Sequence, residues 1–75
     1  MRPRNQALRR FGDALRDERK RQGISQEQLA LQADINRTYM GGVERGEENI
    51  SLLTVLKILS VLKAKPSKIL ERAGL

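Results

Sequence analysis

The stretch GISQEQLALQADINRTYMGGVERG, Gly23 to Gly46, decides how this chain folds. Ser25, followed three residues later by Gln28, has the form of a capping box: the serine hydroxyl takes the Gln28 amide and the Gln28 side chain reaches back. A helix therefore starts at Ser25, with Leu29, Ala30 and Ala33 as its inner face. Asp34-Ile35 turns the chain, and Asn36 suits the N-cap of another helix. In that helix Gly41 and Gly42 stand side by side, although a glycine in a helix interior costs about 1 kcal/mol relative to alanine. Either the helix stops at Met40 or something needs that surface bare. At about 100° per residue, Met40, Val43 and the turn residue Ile35 face the core, and Arg37, Thr38, Gly41 and Gly42 fall on the opposite side. The helix is then expected to continue to about Glu44, with its outer middle stripped where another molecule would lie.

Working outward, residues 6–22 place Leu8, Phe11 and Leu15 at spacings of three and four, one apolar stripe on an otherwise charged helix that Gly23 ends. After Gly46 comes a polar loop, Glu47-Glu48-Asn49, and Ser51 caps a helix running to about Lys63. Its apolar residues are too many for one face. Leu52, Val55, Leu56, Leu59 and Leu62 are assigned to the core, which leaves Leu53, Ile58 and Val61 on the flanks. Pro66 opens a last short helix, to about Ala73, that adds Ile69 and Leu70. No strand pattern or repeat occurs. The expected fold is all-α: a basic arm over residues 1–5 and a single five-helix domain over 6–75, with the two helices of the quoted stretch at about 25–45.

Seventy-five residues bury only about 60% of the surface that the unfolded chain exposes. With no cysteine and no histidine, neither a disulfide nor a structural zinc supports the domain, so helix packing or a partner subunit must do so. No apolar run approaches the ~20 residues of a membrane span, and the first residues are too sparsely apolar for a secretory signal; a cytoplasmic setting is expected. Charge is lopsided: residues 1–22 carry eight basic side chains against three acidic ones, whereas residues 23–75 carry seven against six. The positive field is nearly all arginine, the cation suited to forked contacts with phosphate. The carboxylates Asp13, Asp17, Glu18 and Glu27 are placed on exposed helix faces beside arginines, and no glycine-rich phosphate loop follows a strand. An enzyme is not expected, and neither a cofactor nor a small-molecule ligand is implied.

A short helix, a tight turn and a second short helix make the helix-turn-helix unit, whose second helix lies in the DNA major groove with its N-terminal residues against base edges. The markers Gly23-Ile24-Ser25-Gln26, Leu29-Ala30, Arg37-Thr38-Tyr39 and Glu44-Arg45-Gly46, with the leucine-rich fourth helix, are similar to the Cro and phage-repressor type, or XRE, family over about residues 11–70. That resemblance implies a compact lambda-repressor-like domain. The NRTY start and the single-domain length further resemble the small controller proteins of restriction-modification systems.

The resemblance also assigns roles. Arg37 and Thr38 match base-reading positions, where an arginine can fork onto guanine O6 and N7; for Arg37 a phosphate contact is the alternative. Gly41 and Gly42 lie on the same base-facing side. Gln26 matches a position that touches phosphate and braces the recognition helix, and Asn36, Tyr39 and Arg45 match backbone-contacting positions; half-buried packing is the alternative for Tyr39. Glu44 matches a carboxylate that pairs with an arginine of the first helix, here Arg19. Asp34 stands where the family usually has glycine, a left-handed position that aspartate tolerates. The loop Glu47-Glu48-Asn49 departs from the basic loop of the family, so it is expected to point aside or to offer only amides and Asn49, while Arg2 and Arg4 reach the DNA from the arm.

One recognition helix reads only a few base pairs, so the implied partner is double-stranded operator DNA bound by a homodimer on two half-sites. The dimer contact is placed on Leu53, Ile58, Val61, Ile69 and Leu75. The expected activity is transcriptional regulation; the competing expectation is an antitoxin-like module that uses the same fold to bind protein.

Overall fold

The structure, a computed structural model, describes residues 5–75. Five helices run in order: α1 Gln6–Arg21, α2 Gln26–Gln32, α3 Arg37–Glu44, α4 Leu52–Leu62 and α5 Pro66–Arg72. Local chemistry sets where each begins. Asn5 accepts from the amides of Ala7 and Leu8 at the head of α1, and Ser25 with Gln28 closes a full capping box on α2. Asn36 and Ser51 cap α3 and α4 by accepting from the amides of Tyr39 and Thr54. Pro66 takes the first position of α5, where its missing N–H leaves no helical hydrogen bond unmade.

Each helix sends side chains to one core. Leu15 of α1, Leu29 of α2, Met40 and Val43 of α3, Ile58, Leu59 and Leu62 of α4 and Ile69 of α5 are essentially sealed from solvent. Phe11, Ala14, Ala30, Ala33 and Ala73 complete the cluster, and the half-buried Ile24, Ile35, Tyr39, Ile50, Val55 and Val61 pack against it. The α4 stripe differs from the expected one. Leu52 and Leu56 are exposed, and the core face is Val55, Ile58, Leu59 and Leu62. A helix that is apolar nearly all round carries little periodicity, so its neighbours fix its rotation.

Two glycines let α1 cross the end of α3 at backbone contact. A Cβ on Gly12 would stand 2.5 Å from the Glu44 carbonyl oxygen, and one on Gly46, at φ +75°, would stand 2.6 Å from Arg9 Cα. Both distances are shorter than any side chain permits, so the crossing requires glycine on both sides.

Glu18 is not on an exposed face. It is 6% exposed, between α1 and α5, where Gln22 Nε2 donates to it at 2.7 Å and Arg72 Nη1 at 2.6 Å, with Arg21 as a further donor. The same Gln22 amide group donates to the Leu62 carbonyl at 2.8 Å, so the cluster ties three helices together. The hydrogen bonds from Gln22 and Arg72, helped by the charge of Arg21, outweigh burial and lower the Glu18 carboxyl from 4.5 to about 2.

Candidate nucleic-acid interface

The turn between α2 and α3 is set by Asp34, which adopts the left-handed φ of 56°, while the Ile35 amide returns to the Ala30 carbonyl at 2.8 Å. This closes α2 in the manner of a Schellman turn and swings the chain directly into α3. Asn36, Arg37 and Thr38 consequently stand exposed at the head of α3. The Asn36 side-chain oxygen Oδ1 accepts from the Tyr39 amide in the cap, and Tyr39 is half-buried against the core.

What fixes α3 is a buried ion pair. Arg19 of α1 donates through Nε to Glu44 Oε2 at 2.7 Å and through Nη2 to Oε1 at 3.0 Å, and its Nη1 donates to the Ile24 carbonyl at 2.9 Å. Gln26 Nε2, from the first turn of α2, donates to Glu44 Oε1 at 3.1 Å. One carboxylate therefore gathers α1, α2 and α3 at a single point. Among the described residues no buried side-chain polar atom lacks a partner, so the network carries its charge with its hydrogen bonds satisfied.

The two helix glycines are not bare. Both are buried. A Cβ on Gly41 would meet Arg45 Nη1 at 3.1 Å and Gln26 Oε1 at 3.4 Å, and one on Gly42 would meet Glu48 Cγ at 2.9 Å. Side chains of the protein itself occupy the space expected to admit DNA, so Gly41 and Gly42 are corrected from base-contacting positions to seats for Arg45, Gln26 and Glu48. The acidic loop is folded back. Glu47 and Glu48 are half-buried, the Glu47 amide donates to the Gly42 carbonyl at 2.8 Å, and the Glu47 carboxylate pairs with Arg45 Nε at 3.1 Å. Asn49 is exposed beyond it. Arg2 and Arg4 lie outside the described residues.

The surface assigned to a second copy also changes. Ile58 and Ile69 are 0% and 1% exposed in the chain's own core, so they are removed from the expected dimer contact, and Val61 is half-buried against that core. Leu53 and Leu75 are exposed, as are Leu52 and Leu56 on α4 and Leu70 on α5. Among the described residues no helix is long and apolar enough to cross a membrane, and no group of carboxylates could hold a metal ion.

Two short helices joined by a left-handed turn, with an arginine and a threonine exposed at the start of the second and a buried ion pair behind it, define a helix-turn-helix protein. The chain belongs to the helix-turn-helix family, whose model matches residues 15–69. It is 41% identical over 65 residues to the control protein C.SmaI of Serratia marcescens, covering 87% of this chain and 77% of that protein. The crystal structure of the restriction-modification controller protein C.AhdI from Aeromonas hydrophila superposes with a TM-score of 0.80 at 44% identity, over 83% of this chain and 94% of that one. The controller protein C.Esp1396I, solved as a tetramer in complex with its natural 35 base-pair operator, superposes with a TM-score of 0.81 at 25% identity, over 89% of this chain and 88% of the other.

Proposed function

We propose that this chain is a controller-type transcriptional regulator of a restriction-modification system, binding double-stranded operator DNA as a homodimer in the cytoplasm. The observation that carries this is the exposed Arg37-Thr38 pair at the head of a helix whose rear face is locked by Arg19 and Glu44. A helix held this rigidly can present two side chains to base edges in a fixed register, which flexible attachment would not allow. Similarity to control proteins supports the same function, and it favours regulation over catalysis.

Arg37 is assigned to guanine, Thr38 to a neighbouring base, and Gln26, Asn36, Tyr39, Arg45 and Asn49 to the sugar-phosphate backbone. The arm with Arg2 and Arg4 is assigned to further backbone or minor-groove contacts. Dimerisation is placed on the exposed leucines of α4, Leu52, Leu53 and Leu56, together with Leu75. Selection of random duplexes by the purified protein, followed by sequencing, tests the proposal: a recovered motif with two inverted half-sites supports it, and recovery of unrelated sequences defeats it.

A further inference from the structure

Arg45 follows α3 as its C-cap with helical backbone angles, so it lies four positions after Gly41 on the same face of the helix. Helical side chains lean toward the N-terminus, onto the residue one turn before them. A Cβ at position 41 would stand 3.1 Å from Arg45 Nη1 and 3.9 Å from its Cζ, so the Arg45 head group would have to give way by a few tenths of an ångström, and further for a longer side chain. The guanidinium is paired through Nε with Glu47 at 3.1 Å, and its Nη1 lies over Gly41. The Gln26 amide group rests on the same spot from α2, with Oε1 3.4 Å from that position and Nε2 anchored on Glu44. A guanidinium nitrogen from the end of α3 and an amide oxygen from the start of α2 thus both lie within 3.4 Å of the position a side chain on Gly41 would take.

Resting on the DNA-binding function proposed above, we propose that Gly41 is a positioning residue: its missing side chain forms the seat in which Arg45 is folded back beside Gln26, so that the two make one phosphate clamp spanning both helices of the motif. The ligand chemistry is a single backbone phosphate, met by the Arg45 guanidinium together with the second hydrogen of Gln26 Nε2, the first being donated to Glu44. Glu47 keeps the guanidinium seated in the absence of DNA. Because the clamp joins the first turn of α2 to the end of α3, it sets how deeply Arg37 and Thr38 enter the groove. Its consequence reaches specificity although Gly41 touches no base.

A double-substitution cycle read by DNA binding tests this, using a duplex selected by the parent protein and measuring affinity across a range of salt concentrations. Gly41→Ala is expected to lower affinity about tenfold and to reduce the slope of log affinity on log salt by about one, as Arg45→Ala does, while the double variant is no weaker than Arg45→Ala alone. Alanine raises helix propensity and its nearest neighbours are the ends of flexible side chains, so G41A should melt no lower than the parent. A fold defect would not reproduce the salt slope. Gly41→Ala that keeps the parent's affinity and slope, or that weakens Arg45→Ala binding by a further tenfold, overturns the seat alone. A parent protein that selects no duplex overturns the functional proposal and the seat with it.

Discussion

Removing one partner of the Arg19–Glu44 pair should be among the most damaging polar substitutions in this domain, and removing both should be tolerated. The Glu44 carboxylate accepts from Arg19 at 2.7 and 3.0 Å and from Gln26 at 3.1 Å, and the two ion-pair side chains are 10% and 2% exposed. Glu44→Ala leaves the Arg19 guanidinium buried with only the Ile24 carbonyl as a partner. Stranding a buried charge in this way costs about 3–5 kcal/mol. At 0.05–0.15 kcal/mol per residue, a domain of 75 residues holds roughly 4–11 kcal/mol in all. The substitution therefore consumes about half of it and should lower the melting midpoint on the order of 20 °C. The double variant Arg19→Met with Glu44→Leu removes both charges and keeps the volume, so it should melt near the parent or above it. Urea and thermal unfolding followed by circular dichroism, at fixed protomer concentration because dimerisation shifts the midpoint, measure both. A loss below about 1 kcal/mol for Glu44→Ala, or a double variant as unstable as the single one, would show that the pair is neither buried nor stranded as described.

Arg37→Ala should cost roughly 1–3 kcal/mol of operator binding and relax preference at one base position; an equal loss on every sequence, read by competition binding, would make Arg37 a phosphate contact instead. Gly12→Ala drives a methyl group into the Glu44 and Val43 carbonyls, so the unfolding midpoint should fall by the equivalent of about 1–3 kcal/mol; an unchanged midpoint would refute the tight α1–α3 crossing. Leu53→Glu combined with Leu56→Glu places charge on exposed α4 leucines, and sedimentation should then give a monomer at concentrations where the parent is a dimer, while a persistent dimer moves the contact elsewhere. Glu18 has its carboxyl lowered from 4.5 to about 2, so its contribution is present above pH 4.5 and is lost as pH falls toward 2. Because Arg21 and Arg72 are about half exposed, that contribution is reduced by screening to about 1–2 kcal/mol, and Glu18→Gln should remove this part of the acid sensitivity in a stability-versus-pH series.

Residues whose partners are close in sequence were legible, and those whose partners are distant were not. Ser25 finds Gln28, Asn36 finds the Tyr39 amide and Ser51 finds the Thr54 amide within one turn, so helix starts follow from sequence alone. Glu18 looked like one more solvated carboxylate, because a partner that buries it, Arg72, is 54 residues away. The rotation of α4 was equally hidden. Eight apolar residues among eleven positions fit several stripes, and only packing against α2 and α5 selects Val55, Ile58, Leu59 and Leu62. Arg19 and Glu44 are 25 residues apart and would have escaped too, had the resemblance to the XRE family not supplied their pairing.

The glycines show why a pattern can locate a special position without saying what is special about it. Gly12, Gly41, Gly42 and Gly46 are equivalent to any propensity scale, yet they meet different atoms. Backbone lies against Gly12 and Gly46, and backbone cannot yield, so a side chain there would push α1 off α3. Side-chain atoms of Arg45, Gln26 and Glu48 lie against Gly41 and Gly42, and these can yield, so a methyl group would leave the fold and move Arg45 or Glu48. A side chain on the first pair would therefore disturb the packing of α1 on α3, and one on the second pair would disturb the placement of Arg45, Gln26 and Glu48. An unfavourable glycine pair in a helix implies an open surface, but in the structure the opening is filled by Arg45, Gln26 and Glu48. Substitution separates the two kinds: alanine at position 12 should change melting first, and alanine at position 41 should change binding first.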